Sequence, residues 1–171
     1  MSAASERAWV GLGSNRAGPV AQVRSALDAL AELPRTRLER ASTLYRNPPM
    51  GPPDQPDYVN AVAELTTALT AHQLLAALQA IESARGRERS GQRWGPRPLD
   101  LDLLVYGAHR IADTDLTVPH PGMPERAFVL YPLVELAPQL WVPGMGWAAV
   151  LARALAGADL EPIPEWELSD G

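Results

Sequence analysis

The sequence predicts an α+β sandwich, a mainly antiparallel sheet with helices packed on its faces. Three observations support this. Segments 8–14, 58–65 and 99–106 carry strand patterning, and segments 20–33 and 74–85 repeat apolar residues at helical spacing. Hydrophobic residues make up 46% of the 171 positions, and no linker or internal repeat divides the chain, so 1–171 reads as a single domain able to bury a real core.

The elements follow in order. Ala8 to Ser14 reads as a short buried strand ending in a Gly-rich turn. Pro19 suits the first turn of a helix, along which Val20, Val23, Leu27, Leu30 and Leu33 recur until Pro34 stops the run. Leu38 to Arg46 reads as extended, and Asn47 to Pro56 as a constrained Pro/Gly/Asp loop. From Tyr58 to Leu65, Val59, Ala61, Ala63 and Leu65 take one face while Tyr58 and Asn60 take the other. Thr70 and Gln73 form a capping box for a helix with Leu74, Leu78, Ile81 and Arg85 along one stripe, expected to end at Gly86. A glycine- and arginine-rich loop over Arg85 to Pro98 leads into a strand, Leu99 to Tyr106, with Leu99, Leu101, Leu103 and Val105 on one face. A helix over Arg126 to Leu136, a strand near Trp141 and a helix near Trp147 to Leu155 complete the fold. Residues 1–7 and the acidic stretch 161–171 are expected to be loose.

Composition excludes several classes of function. There is no cysteine, hence no disulfide scaffold, thiolate metal site or thiol nucleophile. All fifteen basic residues are arginine, which excludes a Walker-type lysine loop and lysine Schiff-base chemistry. The formal charge of -5 argues against coating by nucleic acid. No charged-then-apolar leader and no membrane-length apolar run is visible, so a cytoplasmic protein without membrane or nucleic-acid partners is expected.

The sharpest chemical signal is Asp100-Leu101-Asp102. Carboxylates two residues apart on a strand share a face, about 6.5–7 Å apart at Cα, while the leucines anchor the other face. Such a pair suits Mg²⁺, which takes few protein carboxylates and completes its shell with substrate phosphates. The plainer alternative is a pair of surface aspartates held by neighbouring arginines. Context favours the metal: Arg85, Arg87, Arg89, Arg93 and Arg97 crowd the preceding segment, and guanidinium forks match phosphate oxygens. Gly86, Gly91 and Gly95 would let that loop close as a lid. Trp94 either packs over a nucleotide or anchors the closed loop. Gln79 and Glu82 share a helix face, as ligand contacts or as a solvent-facing pair. Tyr58 and Asn60 offer stacking and edge bonding to a planar heterocycle. Gly11-Leu12-Gly13 lacks the third glycine of a dinucleotide fingerprint, since Arg16 stands there.

The run Arg93-Trp94-Gly95-Pro96-Arg97-Pro98-Leu99-Asp100-Leu101-Asp102-Leu103-Leu104 resembles the signature of the 6-hydroxymethyl-7,8-dihydropterin pyrophosphokinases of folate biosynthesis. Val10 to Asn15, Leu44 to Pro49, Asp54 to Asn60 and Leu116 to His120 resemble that family's other motifs, in order. The resemblance, which runs from about Trp9 to Trp147, implies a ferredoxin-like α+β core and a monomer. It also implies transfer of the β,γ-diphosphoryl group of ATP to the pterin hydroxymethyl, with release of AMP. By motif match, Asp100 and Asp102 would hold two Mg²⁺. Arg87 and Arg97 would be catalytic on the phosphates, with Arg89 and Trp94 assisting closure. Gln79, Glu82, His120 and Arg126 would line the ATP side. Tyr58 and Phe128 would sandwich the pterin, Asn60 would bond its edge, and Asn47 and Pro49 would lie beside it. Three positions depart from the family pattern: Asn47 for a frequent threonine, Pro121 for an aromatic and Asp115 for a basic residue. These imply an ATP affinity that differs from other members. The residues alone leave two other readings open, a metal-dependent nucleotide hydrolase and a nucleic-acid-binding module using the Arg/Trp loop.

Overall fold

A computed structural model describes residues 4–16, 18–48, 55–90 and 99–168, with the backbone alone for residues 86–90 and Trp166. Strand β1 (Glu6–Ser14) leads to helix α1 (Pro19–Ala31), with Pro19 in its first turn, followed by β2 (Thr36–Ala41), β3 (Tyr45–Asn47) and β4 (Tyr58–Thr67). Helix α2 (Ala71–Ser90) then precedes β5 (Asp100–Tyr106). The Thr70–Gln73 box forms as the sequence predicts. The Thr70 N–H donates to Gln73 Oε1 at 2.9 Å, and the Gln73 N–H to Thr70 Oγ1 at 3.1 Å.

β5 pairs with β1, β1 with β4, and β4 with both β2 and β3, all antiparallel. The order β5-β1-β4-β2 with the α1 and α2 crossovers is the ferredoxin-like arrangement. One face of the sheet buries Val10, Leu12, Ala61, Leu65 and Leu101 against Val23 and Leu30 of α1 and Leu74 and Leu78 of α2. The other packs Trp9, Val62 and Leu104 against the C-terminal third. That third holds a hairpin of β6 (Ile111–Ala112) and β7 (Thr117–Val118), helix α3 (Ala127–Leu136), a hairpin of β8 (Trp141–Val142) and β9 (Gly146–Trp147), and α4 (Ala148–Arg153).

Five local expectations change. Of the terminus expected to be loose, Glu6 and Arg7 already belong to β1, opposite Thr67 and Thr66. Helix α2 continues through Gly86 to Ser90, so Arg87 and Arg89 lie on its last turn rather than in a loop. One interior glycine costs a helix about 1 kcal/mol, too little to stop it between good helix formers. Val105 does not share the face of Leu101 and Leu103. A bulge in β5, where Trp9 faces Val105 but Val10 faces Leu103, turns Leu104 and Val105 together toward the second core. The extended run over Leu38 to Arg46 is broken at 42–44, where Ser42 exchanges bonds with the Val62 backbone, its N–H donating at 2.8 Å and its Oγ accepting at 2.9 Å. Finally, residues 161–168 are docked. β10 (Glu161–Pro162) pairs with β3, Ile163 is buried, and α5 (Glu165–Leu168) follows.

Candidate active site

Residues directly opposite each other in an antiparallel pair project to the same face. Gly13 lies opposite Asn60 on one side and Asp100 on the other, and Gly11 lies between Val62 and Asp102. On the α3 face, therefore, the two aspartates stand beside a strip of β1 that has no side chains. The result is a cavity of about 550 Å³. Its floor is Gly11 and Gly13, one flank carries Asp100 and Asp102, and the other carries Asn47, Tyr58 and Asn60. His120, Arg126 and Phe128 form the roof and mouth.

Gly13 is required by close approach. A Cβ there would lie 2.6 Å from Asn60 Oδ1. Asn60 has little room to yield, because it is buried and its Nδ2 donates to Asn47 Oδ1 at 2.5 Å. The amide pair is thus held rigidly on the Tyr58 side of the cavity. A second glycine does similar work at the mouth, where a Cβ on Gly122 would lie 2.9 Å from Arg126 Nε. Arg126 opens α3 and reaches both ways, with its guanidinium carbon 5.9 Å from the Phe128 ring centre and Nη1 3.9 Å from Asp102 Oδ2. At that distance the contact is an ion pair without a hydrogen bond.

His120 is oriented by its own turn. The Gly122 N–H donates to His120 Nδ1 at 3.0 Å, which fixes the neutral ring with its proton on Nε2. The His120 N–H in turn donates to the Leu104 carbonyl at 2.8 Å, tying the turn to the β5 bulge. Burial moves the His120 pKa below the ordinary histidine value, and Arg126 adds to this, while the Asp102 carboxylate opposes it.

Glu82 acts from the far face of the sheet. Among the described residues β5 pairs with β1 alone, and on its other side the Leu101 N–H donates to Glu82 Oε2 at 2.8 Å. The amide between the two aspartates is therefore held by a helix carboxylate. Gln79 is exposed and is not part of the cavity lining. Of the residues expected to bind ligand, Asn47, Tyr58, Asn60, Asp100, Asp102, His120, Arg126 and Phe128 come together. Pro49, Trp94 and Arg97 lie outside the described residues, and Arg87 and Arg89 are placed by backbone only.

Sequence reasoning missed the lining roles of Gly11, Gly13 and Gln55. The signal for the glycines was present as a Gly-x-Gly on one face of a strand, but it read as a failed nucleotide fingerprint. Glu135 was missed altogether. Its carboxylate accepts from Tyr45 Oη at 2.6 Å and from the Thr43 N–H at 2.8 Å, bracing β3 against α3. Burial, and then that bond, raise the Tyr45 pKa above the phenol range.

Comparison with known proteins gives a consistent result. The 7,8-dihydro-6-hydroxymethylpterin-pyrophosphokinase family pattern matches residues 9–138. A Pseudomonas aeruginosa protein named 2-amino-4-hydroxy-6-hydroxymethyldihydropteridine pyrophosphokinase is 49% identical over 159 residues, 93% of this chain and 98% of that protein. A Haemophilus influenzae protein of the same name is 48% identical over 149 residues, 87% of this chain and 92% of that one. Among solved structures, Plasmodium falciparum HPPK-DHPS with pterin and p-hydroxybenzoate aligns at a TM-score of 0.69 over 89% of this chain. At 13% identity it speaks to the fold, and this chain covers only 43% of that longer protein. The class is that of the pyrophosphokinases, transferases of a diphosphate group. The chain belongs to the 7,8-dihydro-6-hydroxymethylpterin-pyrophosphokinase family.

Proposed function

We propose that this chain, acting as a monomeric single-domain cytoplasmic enzyme, transfers the diphosphate of ATP to 6-hydroxymethyl-7,8-dihydropterin and releases AMP. The observation that carries the reading is one cavity with a carboxylate pair on one flank and an amide-aromatic pair on the other, separated by a bare glycine strip. The family relationship favours it over a hydrolase or a nucleic-acid module.

Asp100 and Asp102 offer hard oxygen donors open to the cavity, a donor set that suits Mg²⁺. Asp100 and Asp102 would hold two magnesium ions, which would supply charge neutralisation for the polyphosphate. The remaining roles belong to the chain. Tyr58 and Phe128 stack on the two faces of the pterin, while the Asn47–Asn60 pair bonds its edge. Pro49 is a further pterin contact by motif match. This orients the hydroxymethyl oxygen in line with the β-phosphorus. As its bond to that phosphorus forms, the hydroxyl proton is lost to solvent with help from a cavity carboxylate, the bond from the β-phosphorus to the α,β-bridging oxygen breaks, and AMP departs with that oxygen. Neutral His120 presents Nε2–H, and Arg126 its guanidinium, to phosphate oxygens. Arg87 and Arg97 stabilise the transferring charge, with Arg89 and Trp94 completing closure. Glu82 serves this chemistry by holding β5, a positioning role rather than a nucleotide contact.

Product analysis tests the whole reading. Purified protein is incubated with Mg-ATP and the reduced pterin, and nucleotides are resolved by chromatography. AMP formed in step with a diphosphorylated pterin, and only when pterin is present, is the expected result. ADP would instead mean monophosphoryl transfer, and ATP breakdown without acceptor would mean a hydrolase.

A further inference from the structure

The segment 161–168 lies beyond the part of the chain that the family pattern matches, yet it is built into the sheet next to the cavity. Strand β3, which carries Asn47, is three residues long and bonds to β4 at only three register positions. So short an edge strand holds its place poorly without a neighbour. β10 supplies the neighbour, with Glu161 opposite Arg46 and Pro162 opposite Tyr45. The Ile163 N–H donates to the Leu44 carbonyl at 2.8 Å, and the Ile163 side chain, 3% exposed, enters the α1/α2 core beside Leu44. Beyond it, Arg46 Nη2 reaches Glu167 Oε2 at 2.6 Å, and Arg24 of α1 donates to the Leu168 carbonyl at 2.9 Å. Tyr45 and Glu135 brace β3 on the cavity face, so residues 161–168 complete the grip from the edge and the opposite face.

We infer that residues 161–168 are a positioning element for the pterin side of the cavity. By gripping β3 they set Asn47, and through its bond to Asn60 they set the edge that reads the heterocycle. This rests on the reading above that Asn47 and Asn60 contact the pterin. Among the described side chains, none of 161–168 lines the carboxylate flank, so the effect divides the two substrates, and a purely structural role would not.

The test uses full-length variants. Dissociation constants are measured for the reduced pterin with a non-hydrolysable ATP analogue present, and for the analogue alone. Ile163→Ala combined with Glu167→Ala is expected to weaken pterin binding about tenfold, as displacement of a positioned group does, with analogue binding changed less than about twofold. Amide hydrogen exchange at Arg46 and Asn47 should accelerate while that at Leu101 does not. If the double variant unfolds, the milder charge reversal Glu167→Arg should weaken pterin binding and Arg46→Glu added to it should restore binding. Unchanged pterin affinity in folded variants, or equal losses for both ligands, overturns the inference. Asn47→Ala separates the two claims. If it weakens pterin binding while the 161–168 variants do not, the positioning role alone fails. If it has no effect, the site reading fails and takes the inference with it.

Discussion

The two faces of the central sheet are made by the same strands and end up as different things. On β1, Val10 and Leu12 point into a closed core against α1 and α2, while Gly11 and Gly13 point to the other side and leave a cavity. One face is a contact between fully buried leucines. The other is a floor defined by what is missing from it. A functional pocket in a small sandwich can thus be produced by omitting side chains from one strand. The cost falls on neighbours that must then hold polar groups in a half-dry space: Asn60 on Asn47, Arg126 over Gly122, and His120 on the Gly122 amide. Stability should therefore reside mainly in the closed face and chemistry in the open one.

The strongest test of that division is Asp102→Ala. It should lower turnover by about a thousandfold or more, in line with the loss of electrostatic stabilisation in phosphoryl transfer, while the melting temperature stays near that of the parent. Near-normal turnover would remove the carboxylates from the mechanism. Leu78→Ala on the closed face should do the opposite. A fully buried leucine truncated to alanine costs about 2–5 kcal/mol, seen in denaturant unfolding, with substrate affinities of the remaining folded protein intact. Gly13→Ala sits between them, since its Cβ must displace Asn60. An overpacking loss of about 1–3 kcal/mol is expected, together with weaker pterin binding and unchanged ATP binding. Normal pterin affinity there would mean the glycine strip is mere packing.

What the sequence discloses follows from how local each signal is. The Thr70–Gln73 box spans one turn, and the alternation of Asp100, Leu101 and Asp102 spans three residues, so both were legible. The β5 bulge was not, because it exists only in the pairing with Trp9 and Val10, ninety-odd positions away. Docking of 161–168 was hidden for the same reason. The stretch is acidic, and Ile163, its one deeply buried apolar side chain among the described residues, lies beside Leu44 in the core. Gly86 is a helix-ending residue by type, yet one interior glycine costs a helix only about 1 kcal/mol, and α2 runs through it. The split between Glu82 and the cavity could not be seen either. A helix face is evident from spacing, but which side of the sheet it packs on is decided by the chain crossover.

Glu82→Ala probes the one place where the closed face supports the open one. Removing a charged acceptor leaves the Leu101 N–H at the sheet edge unpartnered, at a cost of about 1–3 kcal/mol. Turnover should fall about tenfold with little change in ATP affinity, because the aspartates lose their register rather than the nucleotide a contact. A selective loss of ATP affinity would return Glu82 to the nucleotide side.

The smallest effect concerns a single proton. His120 Nδ1 already accepts the Gly122 N–H, so protonating the ring sacrifices that bond as well as burying a charge. Its NMR titration midpoint should lie below that of a free histidine. Asp102→Asn should lower it further by removing the opposing carboxylate, and Arg126→Ala should raise it. The linkage sign follows. Between the folded and unfolded midpoints the unfolded chain binds more protons, so stability falls as pH drops below about 6.5 and is unaffected above it. A midpoint at or above the free value would mean that the Asp102 carboxylate outweighs burial and Arg126 at the ring.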